Sequence, residues 1–174
     1  AVIGGSSVLV GILVCVAYVA LLIGLQKASG VRYDQITDSA DTMRKGVAIP
    51  VAVCTTLLVA FLALTGRLSA ALSYEPRATA AWLWVLPGLL ALGIVLRLLR
   101  APWRQVGARY VLWAFVGTAL VGLSEELLVR GYLVDVVQAD GRAPWMVALV
   151  TSVVFGVLHG ALCSLTRVND TAMG

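Results

Sequence analysis

Four residues in this chain of 174 have the types and spacing to do chemistry: Glu125, Glu126, Arg130 and His159. Paired carboxylates with an imidazole nearby are the material of general acid–base work on a water molecule. Arg130 follows Glu126 by four positions, which puts the two on one face of a helix and makes them the natural ion pair. From Glu125 the arginine is five positions away and well round the helix. Glu125 is therefore left comparatively free to act as a base. His159 is the only histidine in the chain, and Phe155 lies one turn before it on the same face.

The surroundings make these charges conspicuous. Hydrophobic residues are 60% of the chain and charged residues 13%, with a mean hydropathy of +0.95. A soluble domain carries about 25% charged residues, so this composition excludes a water-facing globule, and it excludes intrinsic disorder as well. The 13 Lys+Arg against 9 Asp+Glu follow a membrane-topology pattern, which argues against a nucleic-acid partner. The partner in that role is the lipid bilayer. An ionised side chain at mid-membrane costs about 2.5–3.5 kcal/mol on insertion scales. Glu125, Glu126 and Arg130 must then pair with one another or line a wet cavity.

The elements that carry them read as membrane helices, each needing about 20 apolar residues. Uncharged runs cover Ala1 to Leu25, Gly46 to Gly66, Ala78 to Leu96 and Ala143 to Thr166, and Pro87-Gly88 in the third suggests a kink. Between the last two, Tyr110 to Val137 reads as one long helix with the charges near its middle. It is bounded by the turn cluster Ala139-Asp140-Gly141-Arg142-Ala143-Pro144. No period-2 alternation supports a barrel. The expected fold is an all-α, polytopic transmembrane helical bundle of about five spans. It forms a single domain over residues 1–174, with the motif-bearing region at 110–165.

Lys27, Arg32, Arg44 and Lys45 in the first loop and Arg97, Arg100, Arg104 and Arg109 in the third outnumber the cations of the other loops. The positive-inside rule then puts the N-terminus outside. The expected location is the bacterial cytoplasmic membrane. Trp103, Trp113 and Trp145 sit near span ends, as interfacial anchors. Cys15, Cys54 and Cys163 lie in apolar runs without CxxC spacing, which points to packing rather than to disulfides. No basic leader precedes the first run, so it reads as a span rather than a secretory signal.

Small residues recur every four positions at Ser152, Gly156, Gly160 and Ser164, and again at Ala114, Thr118 and Gly122. Such stripes let membrane helices approach closely. Packed together, these two would carry His159 towards the glutamates. On ideal straight helices Glu125 and His159 sit at different depths, so a tilt or a break near Gly122 is expected.

At these residues a family resemblance appears. Glu125-Glu126-Leu-Leu-Val-Arg130-Gly131-Tyr132-Leu133 resembles the EExxxRGxL signature of the CPBP (Abi) family of CAAX prenyl endopeptidases and bacteriocin-processing proteases. Phe155-Gly-Val-Leu-His159 resembles that family's FxxxH motif. The resemblance implies an intramembrane glutamate endopeptidase that cleaves a peptide bond of a prenylated or membrane-associated peptide or protein. It implies Glu125 as activator of the water, with Glu126 and Arg130 holding the geometry. His159 would assist the water or stabilise developing charge. No cofactor is expected. Zinc on Glu125, Glu126 and His159, with Cys163 as an extra ligand, is the less favoured reading.

The family continues into a later helix with a second His and, four residues on, an Asn or Asp. Here there is no second His, and the only Asn is Asn169. This departure reads as C-terminal truncation, which the absent initial Met favours, or as a degenerate member. Two other functions compete. A non-catalytic relative would act in membrane scaffolding or bacteriocin self-immunity. A transporter fragment would use the two glutamates as a proton or cation site.

Overall fold

In the computed structural model, residues 7–73, 85–100 and 107–172 are described. Trp103, Arg104, the first part of the expected third span and the side chain of Cys163 lie outside that description. Every described element is helical, and none of the described residues is in a strand. We number the helices α1 (Ser7–Ala28), α2 (Ala40–Leu64), α3 (Leu68–Leu72), α4 (Val85–Arg100), α5 (Ala108–Ala139) and α6 (Pro144–Ala172).

Three of them, α1 over Val8–Ala28, α2 and α5, are long and apolar enough to cross a membrane. The described part of α6, Pro144–Gly160, is a shorter apolar stretch. The all-α polytopic reading holds, with three helices of spanning length among the described residues where about five spans are expected. Outward faces are apolar as lipid contact requires: Leu13, Leu57, Phe115 and Val157 are all exposed. In water such an apolar surface would be a liability.

Local chemistry sets the ends. At the start of α2, Ser39 Oγ accepts the Thr42 N–H at 3.1 Å while Thr42 Oγ1 accepts the Ser39 N–H at 3.0 Å, a reciprocal cap that satisfies two otherwise orphaned donors. Between α5 and α6 the chain reverses through Asp140 to Ala143, with Gly141 at φ +71°. That left-handed backbone strongly favours glycine.

The core lies where α1, α2, α5 and α6 meet. Cys15, Leu58, Leu62, Leu127, Leu128, Tyr132, Leu133, Val136, Val137 and Val147 form one buried cluster. Phe61 of α2 meets Tyr132 edge-on, with centroids 5.5 Å apart. Cys15 and Cys54 are free and buried, in the packing role expected of them.

Candidate active site

The long helix α5 is continuous, as its sequence predicts, but not uniform. Its α-helical part ends at Glu125, and Glu126–Leu133 is π-helical before α-helix resumes at Val134. A π-helix bonds i to i+5 and is wider than an α-helix, and such stretches are frequent at functional sites. Here the widened stretch carries the first motif from Glu126 to Leu133. At the junction the Glu126 N–H is shared between the carbonyls of Gly122 and Leu123. Leu127, Leu128, Gly131, Tyr132 and Leu133 turn inward. The backbone is drawn close to α3, because a Cβ on Gly131 would stand 2.8 Å from the Ala71 Cβ and 3.1 Å from its backbone.

The inward residues leave the charged ones on the open side. Arg130 Nε lies 3.3 Å from Glu126 Oε2, with the two side chains 67% and 58% exposed. This is the pair that the four-residue spacing predicts. Glu125 points elsewhere, and its Oε1 is 3.4 Å from His159 Nε2 across the helix hairpin, with 39% and 48% of the side chains exposed. The Phe155 ring lies 4.3 Å, centroid to centroid, from the His159 ring and is tilted 42° to it, which limits how the imidazole can turn. The five residues singled out from the sequence thus form two sets, Glu126 with Arg130 along α5, and Glu125, His159 and Phe155 across the hairpin.

The route by which they meet differs from the expected one. The small-residue stripes do not pack on each other: Cβ atoms on Gly122, Gly156 or Gly160 would meet nothing within 4 Å. Ser152, Gly156 and Gly160 are exposed. Instead α5 uses Gly117 against Val47 of α2, and the core holds Val147 of α6 against the inner faces of α1 and α5. The expected break near Gly122 takes the form of the change to π-helix at Glu126, whose N–H is shared between the Gly122 and Leu123 carbonyls. Glu125 stands fourteen residues before Ala139, and His159 stands fifteen after Pro144. At roughly 1.5 Å per residue, the two arms of the hairpin bring both groups to the same height above the turn.

Two features escaped the sequence reading. Arg67, just before α3, bonds Asp135 of α5, tying the short loop after α2 onto the helix that carries the glutamates. The signal was available, since Asp135 is a further acid inside the apolar pattern of Tyr110 to Val137. Tyr18 of α1 packs against the buried cluster with its hydroxyl closed off from the exterior. A tyrosine deep in the first apolar run, rather than at its end, was the clue.

Glu126 is turned to Arg130, which leaves one carboxylate and one imidazole together. No group of three His, Cys, Asp or Glu residues able to hold a metal forms among the described residues.

Comparison with known proteins places the same region. Residues 107–173 match a family described as type II CAAX prenyl endopeptidase, Rce1-like. The matched stretch contains both motifs, the π-helical segment and the hairpin. No curated protein and no solved structure gives a match to the chain. The motif resemblance and the match agree: over residues 107–173 the chain is similar to the Rce1-like type II CAAX prenyl endopeptidases, which supports the CPBP resemblance of its two motifs.

Proposed function

We propose that this membrane protein is an intramembrane endopeptidase that hydrolyses a peptide bond of a prenylated or membrane-associated substrate with a glutamate-activated water. The observation that carries this reading is the 3.4 Å approach of Glu125 and His159 from opposite arms of one hairpin. A tight charge-assisted hydrogen bond is about 2.7–2.9 Å long. The longer separation suits two groups that share one water, and catalytic hydrogen bonds often tighten only in the substrate complex.

In this mechanism Glu125 takes a proton from the water as it attacks the scissile carbonyl, and gives it to the amine nitrogen as the C–N bond of the tetrahedral intermediate breaks. His159 holds the water's other side or donates to the oxygen on which charge develops. Glu126 and Arg130 neutralise each other, so the base is not quenched by the arginine beside it. Glu125 and His159 are both partly exposed, which leaves them accessible to a substrate from the flank of the bundle. The bacterial cytoplasmic membrane, with the N-terminus outside and the first loop in the cytoplasm, is the setting that the cation pattern favours.

The test is Glu125→Gln in the full-length protein, reconstituted with a prenylated CAAX peptide and, separately, with membrane-anchored peptides. Cleavage is expected to be abolished, with membrane insertion and melting temperature unchanged. Wild-type turnover in that variant would refute the assignment.

A further inference from the structure

A groove of about 350 Å³ lies between the end of α1 and the start of α2, and no residue of either motif lines it. Leu25, Ala28 and Ser29 form one wall. Ile49, Pro50 and Val53 form the other, with Lys45 at the end nearest the loop.

Only two of these side chains are polar. Ser29 is already used, since its hydroxyl donates to the Gln26 carbonyl at 2.6 Å and accepts the Val31 N–H at 3.3 Å. Lys45 is not. The nearby Arg32 and Arg44 face the carboxylates of Asp34 and Asp41, whereas the Lys45 ammonium meets no carboxylate among the described residues. Lys27, exposed in the last turn of α1, is likewise unmatched. This end of the helix pair therefore carries two uncompensated positive charges above an apolar wall.

Lys45, Ile49 and Val53 follow one another at steps of four down that wall. At roughly 1.5 Å per residue the wall runs about 12 Å from the ammonium into the span. Both helices are long enough to cross a membrane, and the ends that meet here are joined by the loop after Ala28. The lysine thus stands at headgroup level and the valine among acyl chains. A ligand matched to this profile has an anion at one end and a long apolar chain behind it.

We propose that the groove holds an anionic phospholipid of the leaflet on the side of the α1–α2 loop. Its phosphate sits on Lys45 and Lys27, and one acyl chain lies along Ile49 and Val53 against Leu25 and Ala28. A zwitterionic lipid brings the same chain but also its own cation, so it gains less from the two lysines. A second copy of the chain fits worse, because a two-fold contact sets the same patch on itself and would crowd four lysines together.

The test places the full-length protein in phosphatidylcholine nanodiscs doped with a phosphatidylglycerol that carries a diazirine on its acyl chain, and locates the crosslinks by mass spectrometry. Crosslinks are expected to concentrate on residues 25–29 and 49–53 and to be competed by unlabelled phosphatidylglycerol. Lys45→Gln is expected to lower this labelling about fivefold, the worth of one lysine at an anionic surface. Arg100→Gln, at the end of α4, should leave it unchanged. Val53→Trp fills the apolar wall and should abolish it.

Equal labelling by a phosphatidylcholine carrying the same diazirine overturns the proposal, as does wild-type labelling in Lys45→Gln or in Val53→Trp. Displacement by farnesyl cysteine but not by phosphatidylglycerol would give the groove to a prenyl chain. An unlabelled groove, with a wild-type dimer that Val53→Trp dissociates, would give it to a second copy. Either result overturns the proposal.

Discussion

Glu125 and Glu126 are adjacent in sequence yet answer to different partners, an imidazole on the next helix and a guanidinium one turn along their own. The second pairing follows from spacing alone, because residues four apart face each other on any helix. The first depends on how two helices lie together, so the sequence supplies the residues and only the fold supplies the contact. His159 is expected to matter through its ring nitrogen. His159→Ala should lower kcat by about 10²–10⁴-fold, the usual yield of a general acid or base, with KM and thermal stability little changed. A rise in KM alone, with kcat retained, would take the imidazole out of the chemistry. Tyr18 shows where sequence reading stops. Its place deep in the first apolar run marks it as unusual, but does not say which helices its ring packs against.

At the scale of elements, the existence and extent of α5 were legible, since the apolar pattern resumes after the charges and breaks at the Asp140 turn. Its π-helical middle was not. Periodicity counts side chains on faces, and a local change from i→i+4 to i→i+5 bonding leaves too small a mark in eight residues. The small-residue stripes misled for a related reason. A stripe records that close approach is sterically possible, not which face is used, and here the approach was made at Gly131 and Gly117. Gly131 accordingly has little room for a side chain. Gly131→Ala should destabilise the protein by about 1–3 kcal/mol through overpacking against α3, read as a lowered melting temperature. Adding Ala71→Gly should restore only part of the loss, because the backbone of residue 71 also stands in the way. A Gly131→Ala protein as stable as wild type would show that α3 can shift freely.

For the whole molecule, low charge content fixed the class, and the cation pattern suggested an orientation, but neither says which spans touch. That information sits in shape: Cys15 and Cys54, at 0% and 1% exposed, are sealed on different helices although neither carries a sequence signal beyond its apolar run. In a Cys163→Ser background, a membrane-permeant maleimide should leave both thiols unmodified in the bilayer and label both after SDS denaturation. Rapid native labelling of Cys54 would contradict the packing of α2. The site also faces outward as a whole, with Glu125 and His159 between one-third and one-half exposed, so access belongs to the bundle's flank rather than to a sealed interior.

The near-equal arms of the α5–α6 hairpin carry one more consequence. Because Glu125 and His159 are counted off from the same turn, leaning the hairpin out of its own plane moves them as a pair, like two marks on the uprights of a ladder. A bilayer that thins or thickens around the protein changes where the rung lies relative to the lipid without pulling its ends apart. The height of the pair in the membrane is in this sense a property of the lipid, while the spacing of its two groups is a property of the chain.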